Sequence, residues 1–412
     1  MTRTRPSPAV RTPARRTAPA RRAAPARRPA SHLAVTLLVA ALLGACATGP
    51  GSAEGGTRTT GPAQDRPTTA TPDPRSPHPE RSGTGTGAVT SAGDLLVADF
   101  GGDTVTFLDP VDGPTGSVRV GTAPYGIALG DDGRAWVATA EGVAVVDTRT
   151  RRSLGRVPYR TGTGPVTEGE YRGGGMGIAL APDGERLYVG VNVPDGPGVL
   201  EVVDTTKREV TATVPVGRRP FDVDVARDGA EVYVTNHDSF DVTAVRADTL
   251  APRRFEVAPY GTEGGLGSWL KPHYAVVRDD GRLLLPFEGE RLAVLDPRTG
   301  QVAVEPMTAD THQHGAALTP DGTLLVVGTG PVGDATGPPS LTVRAPDGTE
   351  RTVPLQGPHE DVAVSRDGRT AYVTGGFTRA GSWDGITVVD LARGTTRRLP
   401  GGDRPLGAVV LP

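Results

Sequence analysis

Residues 177–190 read GIALAPDGERLYVG, and residues 200–217 read LEVVDTTKREVTATVPVG. A short apolar strand runs into an Asp-Gly turn, a second strand returns, and a third ends in Asp before a fourth. The same unit recurs as GIALGDDGRAWVAT with VAVVDTRT (126–139, 143–150), DVDVARDGAEVYVTN (222–236) and YAVVRDDGRLLLPF with LAVLDPRTG (274–287, 292–300). GAALTPDGTLLVVG (315–328) and DVAVSRDGRTAYVTG with ITVVDLARG (361–375, 386–394) are further copies. The turn aspartates Asp132, Asp183, Asp228, Asp280, Asp321 and Asp367 are 51, 45, 52, 41 and 46 residues apart, the length of a four-stranded propeller blade. Gly follows each because a tight hairpin needs positive φ there. No segment sustains a period of 3.6, so almost no helix is expected.

Six turns account for six blades. The seventh is split: LGAVVLP (406–412) matches an innermost strand that stops where its turn is due, and GDLLVADF (93–100) with TVTFLDP (104–110) matches the strands that follow. The expectation is an all-β, seven-bladed β-propeller closed by pairing of the C-terminal strand with N-terminal strands, which removes open sheet edges. The unit resembles the YVTN-type propeller repeat; YVTN itself stands at Tyr233–Asn236 and YVTG at Tyr372–Gly375. That resemblance implies the fold over residues 92–412 and leaves function open, since the architecture hosts surface proteins, lactonases and metal-binding proteins.

Ahead of the propeller, residues 1–31 carry nine arginines and no acid, and Leu33–Leu43 reads LAVTLLVAALL. Eleven apolar residues are too few to span a bilayer and suit the core of a signal peptide. Leu43-Gly44-Ala45-Cys46 then looks like a bacterial lipobox, so residues 1–45 are expected to be a lipoprotein signal peptide and Cys46 to be lipidated. Residues 46–91, rich in Gly, Thr and Pro, form a tether with too little apolar surface to fold. The expected location is the extracytoplasmic face of the cell membrane, anchored through lipid. Cleavage takes the net charge from −3 to −12, which speaks against nucleic acid as a partner. A monomer is expected. With Cys46, the only cysteine, consumed, no thiolate remains for a metal or a disulfide.

Counting seven residues back from each turn aspartate gives the residue at the channel mouth of each blade: Tyr125, Met176, Phe221, His273, His314 and Glu360, with Leu406 from the closing strand. His312 and His359 lie beside this register. Imidazoles from neighbouring strands converging on the axis supply nitrogen ligands for Zn²⁺, with Cu²⁺ or Ni²⁺ as alternatives in the absence of thiolate. His273, His314 and His359 are the expected ligands, with Glu360 or His312 as the fourth; His359 and Glu360 compete for one inward position. His237, from a different loop, is expected to matter much less. The insertions 161–175 and 258–272 precede inner strands on this face, and Tyr171, Tyr260 and Trp269 are placed to fold over the mouth. Trp136 is expected in the core.

KPHYAVVRDDGRLLL (271–285), HQHGAALTPDGTLLVVG (312–328) and GPHEDVAV (357–364) resemble inner-strand segments of the propeller metallochaperones that serve bacterial zinc importers. The resemblance implies zinc held by His273, His314 and His359 for delivery to a solute-binding protein. It departs from that family in having Gly357-Pro358 where a cysteine precedes the last histidine. No GxSxG, P-loop or HExxH stands in the chain. The reading is therefore a transition-metal-binding propeller for storage, sensing or delivery. Its rivals are a metal-dependent hydrolase or lactonase with a base such as Glu288, and a metal-free surface interaction protein.

Overall fold

The computed structural model describes residues 93–412 apart from 170, 258–270, 288–289, 334 and 377–380. The expected signal peptide, the lipobox with Cys46 and the tether lie outside the described residues, as do Tyr260, Trp269 and Glu288. Seven four-stranded antiparallel sheets stand side by side as a β-propeller. Among the described residues there is no α-helix, only a single 3₁₀ turn at His237–Ser239.

Each blade runs from an inner strand to an exposed outer one. In the third blade these are Gly174–Leu180, Arg186–Asn192, Val199–Asp204 and Glu209–Pro215. The turn between the first two strands follows the chemistry of its sequence. Gly184 has φ 72° and its N–H bonds back to Ala181 O, while Asp183 Oδ1 accepts from the N–H of Glu185 at 2.9 Å. The other five Asp-Gly turns repeat this pattern, with glycine φ between 70° and 82°. Asp is selected because its carboxylate captures a backbone donor that the turn leaves over.

Second strands such as Leu95–Asp99 are buried throughout, whereas the outer strand Arg152–Val157 is mostly exposed. A blade packs on both faces, so its second strand reads as an unbroken apolar run instead of alternating. The core is correspondingly divided into seven inter-blade clusters, one at each junction around the ring. Trp136, 1% exposed, lies in the cluster between the second and third blades.

The split blade closes as the sequence predicts. Pro405–Val410 pairs antiparallel with Leu95–Asp99, Val410 opposite Leu95 and Ala408 opposite Val97. Leu411 N–H then donates to Asp94 O at 2.7 Å. An eighth, axial cluster of Phe100, Ala123, Tyr125, Met176, Phe221 and Leu406 fills one side of the central channel mouth.

Candidate metal centre

The residues seven before each turn aspartate form one ring. Going around it, Leu406, Tyr125, Met176 and Phe221 make a continuous apolar arc; His273, His314 and Glu360 complete the circle as a polar arc. All seven are buried. The apolar arc packs edge-to-face, with Phe221 5.5 Å from Tyr125 and 5.3 Å from His273 between centroids.

His273, His312 and His314 each offer a ring nitrogen, and the three nitrogens lie within 4.8 Å of one another. Their exposures are 4%, 8% and 8%. The ring of His273 stacks on that of His314 at 4.1 Å and meets His312 edge-on at 4.8 Å. His312 and His314 share this face because residues two apart in a strand point the same way. Three nitrogens around Zn²⁺ sit about 3.4 Å apart at ordinary bond lengths, so modest ring rotations bring these into range. Among the described residues, the buried Nδ1 of His273 has no hydrogen-bond partner. A buried polar atom left in that state is costly, and a cation is one means of satisfying it.

A fourth imidazole adjoins the three. His237 Nε2 is 3.1 Å from His273 Nε2, and its Nδ1 is 2.7 Å from Asp238 Oδ1. The carboxylate fixes the proton on Nδ1, which leaves Nε2 with a lone pair directed at His273. This is the way carboxylates commonly orient a ligating histidine. Lys271 Nζ donates to the same oxygen, Asp238 Oδ1, at 3.0 Å. Burial pushes the Asp238 carboxyl up, but the His237 hydrogen bond and the charges of Arg219 and Lys271 outweigh that and hold it well below the usual range. Burial, reinforced by the Arg219 guanidinium, lowers His237 to about 3. Burial also drives His273 well below 6.5, with His314, His237 and His312 adding to it. His237 and His273 are therefore neutral, the state that a metal ligand requires.

Glu360 takes the inward position for which two neighbours compete. Its Oε2 lies 3.0 Å from His314 Nδ1, and Tyr274 Oη donates to its Oε1 at 3.4 Å. His359 lies apart from the three clustered histidines. It is completely buried, its Nδ1 2.8 Å from Gly357 O and its Nε2 2.7 Å from Thr387 Oγ1, with Trp383 edge-on at 5.9 Å. Adjacent residues of an extended chain point to opposite sides, so placing Glu360 on the axis sends His359 into its own blade. Of the residues expected as ligands, His273 and His314 converge, His312 joins them and Glu360 touches their edge. His237 enters through the 3₁₀ turn, which places it beside His273; a loop of that kind leaves no periodic signal in the sequence.

The first insertion does reach the mouth. Buried Arg172 donates to Ala123 O at 2.7 Å and Gly175 O at 2.8 Å, and Tyr171 stacks on the Arg219 guanidinium at 4.1 Å.

Fold and site together define a seven-bladed β-propeller with a buried histidine group at one end of its axis. No protein-family model matches the chain, and no curated protein matches it in sequence. Its likeness is to solved structures. A hydrazine synthase of Kuenenia stuttgartiensis aligns over 75% of this chain and 93% of its own, at 16% identity and a TM-score of 0.54. A protein of unknown function from Desulfotomaculum acetoxidans aligns over 77% and 98%, at 12% and 0.56. A streptogramin B lyase aligns over 77% and 91%, at 14% and 0.55. Identities this low carry the propeller architecture alone.

Proposed function

We propose that this chain is a cell-envelope lipoprotein that binds a transition metal ion, zinc foremost, at the axial histidines for storage or delivery. The observation that carries the reading is the convergence of His273, His312 and His314 from two adjacent blades, buried and with ligand atoms within 4.8 Å. An all-nitrogen set suits Zn²⁺ at ordinary Zn–N distances, with Cu²⁺ or Ni²⁺ as competitors. His237 or Glu360 is the nearest fourth donor. The lipid anchor rests on the apolar run ending at Cys46, and delivery to an importer's solute-binding protein on the resemblance of the segments at 271–285, 312–328 and 357–364. Deep burial of the three histidines favours holding an ion over turning over a substrate, since hydrolysis needs an open coordination position.

Elemental analysis and calorimetry with Zn²⁺, Cu²⁺ and Ni²⁺ test this. One ion per chain is expected, lost in the His273→Ala/His312→Ala/His314→Ala triple variant. No ion bound tighter than about 10 μM, or a triple variant that binds like wild type, overturns the metal reading. Cys46→Ser is expected to abolish lipid labelling and release the protein from membranes; persistent labelling overturns the anchor.

A further inference from the structure

The Asp-Gly turns lie at the far ends of the inner strands from the histidines. There the fifth blade (276–306) and the sixth (313–354) border a cavity of about 800 Å³. Its lining includes buried Leu284 and Leu292 of the fifth blade and buried Leu324 of the sixth, with half-buried Val277 and Leu318. The fold gives a reason for an opening at this junction. The inner strand of the fifth blade, Val276–Val277, is two residues long, where the other six inner strands have three to seven. Among the described residues this junction holds six buried apolar residues, the fewest of the seven; the next smallest holds eight. A junction filled so sparsely by its own side chains leaves apolar surface for a guest to cover.

Charge decides the kind of guest. Four arginines and four carboxylates share the wall, which therefore carries no net charge. Most of them already have partners: Arg227 pairs with Asp279, Arg278 with Asp280, and Arg344 with both Glu305 and Glu350. Asp321 and Asp347 accept backbone N–H groups of their own turns, from Thr323 at 3.2 Å and Thr349 at 2.9 Å. The remaining charge, Arg366, stands on an exposed turn where water screens it. A charged guest would give up hydration here and find the counter-charges already paired, whereas an uncharged apolar guest loses little on entering.

We infer that this cavity binds an uncharged small molecule with a largely apolar body. Its volume falls within the range of about 300–1,000 Å³ common for such sites. The site lies at the other end of the inner strands from the histidine group, goes beyond the metal reading and stands whether or not an ion binds.

The test is fluorescence titration of the full chain, in chelator, with two dyes that share a ring skeleton. N-phenyl-1-naphthylamine is uncharged, and 8-anilinonaphthalene-1-sulfonate carries a sulfonate. Saturable binding of one uncharged dye per chain, tighter than about 50 μM, is expected, with the sulfonate at least tenfold weaker. Leu318→Asp is expected to weaken the uncharged dye at least tenfold by placing a charge in the wall. Should that variant fail to fold by circular dichroism, Ala345→Trp decides. Ala345 is a half-buried lining residue in a turn, and an indole there occupies part of the cavity, with a loss of about fivefold or more expected. Unchanged affinity in a folded variant, no saturable binding of the uncharged dye, or a sulfonate that binds as tightly overturns the proposal. The His273→Ala/His312→Ala/His314→Ala variant is expected to bind the dye like wild type; a loss there equal to that in Leu318→Asp would place the dye at the histidines and overturn this site. Because no metal is present, failure of the metal reading leaves these results untouched.

Discussion

His359 and His273 are equally deep in the molecule and chemically alike, but their nitrogens face different surroundings. Both nitrogens of His359 are engaged, by Gly357 O and Thr387 Oγ1, whereas Nδ1 of His273 has no hydrogen-bond partner among the described residues. Replacing His273, His312 or His314 with Ala is therefore expected to weaken zinc affinity about a hundredfold or more. His359→Ala is expected to leave zinc affinity within a few-fold of wild type and to cost about 1–3 kcal/mol of stability, the penalty of stranding buried partners. Calorimetry and thermal melts on the same four variants separate the two roles. A loss of zinc binding in His359→Ala equal to that in His314→Ala would sink this distinction. Asp99 gives a prediction away from the site. It is 1% exposed, and burial pushes its carboxyl up to about 6 despite hydrogen bonds from Thr106 and Thr104. The folded protein therefore holds a proton that the unfolded chain gives up near 3.8. The stability this confers is complete below about pH 4 and drains away as pH rises through about 6. Asp99→Asn keeps an acceptor and loses the charge, so its stability relative to wild type is expected to rise by up to about 3 kcal/mol between pH 4 and 7.5. A melting-temperature difference that is the same at both ends contradicts the assignment.

At the scale of the strand, the inner strands approach one another so closely that the residue after each axial position is restricted. It is glycine at 126, 177, 315 and 407, and a Cβ on Gly177 would stand 2.5 Å from the backbone of Asp222 in the next blade. Where a side chain is present instead, it is put to use: Asp222 Oδ2 accepts the Ala275 N–H of the following blade at 2.9 Å. Gly177→Ala is accordingly expected to destabilise by about 1–3 kcal/mol or more through overpacking. Gly184→Ala has open space around its Cβ and is expected to cost about 1–2 kcal/mol through its left-handed backbone alone. Thermal melts check both, and a loss at Gly177 below about 1 kcal/mol would refute the packing argument. The strands, the Asp-Gly turns and the axial register were all legible in the sequence because each depends on local period or on spacing within one repeat. The direction of His359 was legible only in part, since it turns on which of two neighbours faces the axis. That His237 lies on this face was legible from its place after the YVTN strand, but its approach to His273 was not, because a 3₁₀ turn between strands carries no period and the contact spans two blades.

At the scale of the whole ring, stability depends on closure. Each blade buries one face against the blade before it and the other against the blade after it, so an open ring would leave two unmatched apolar faces. The strand Pro405–Val410 supplies Leu406 to the axial cluster, Ala408 to the junction with the last blade and Leu411, just beyond it, to the junction with the second. Burial of two leucines is worth about 1.5–3 kcal/mol each, and the ladder to Leu95–Asp99 is lost with them. That loss is a large part of the roughly 5–15 kcal/mol that holds a domain folded. A chain ending at Arg404 is expected to be unfolded or aggregated at room temperature. A permuted chain tests whether closure itself is responsible. Joining residue 412 to residue 93 through a short linker is feasible because Leu411 N–H already bonds to Asp94 O. New ends are opened at the exposed turn between Asp183 and Gly184. This variant keeps every strand of the closing blade on one continuous segment and is expected to melt within a few degrees of the native order. The truncated chain, supplied with a synthetic peptide of residues 404–412, is expected to regain β structure in proportion to the peptide added, as strand addition restores the missing pairing. Native-like melting of the truncated chain without peptide would mean that six complete blades and an open one suffice, and that the split blade is not what holds the ring together.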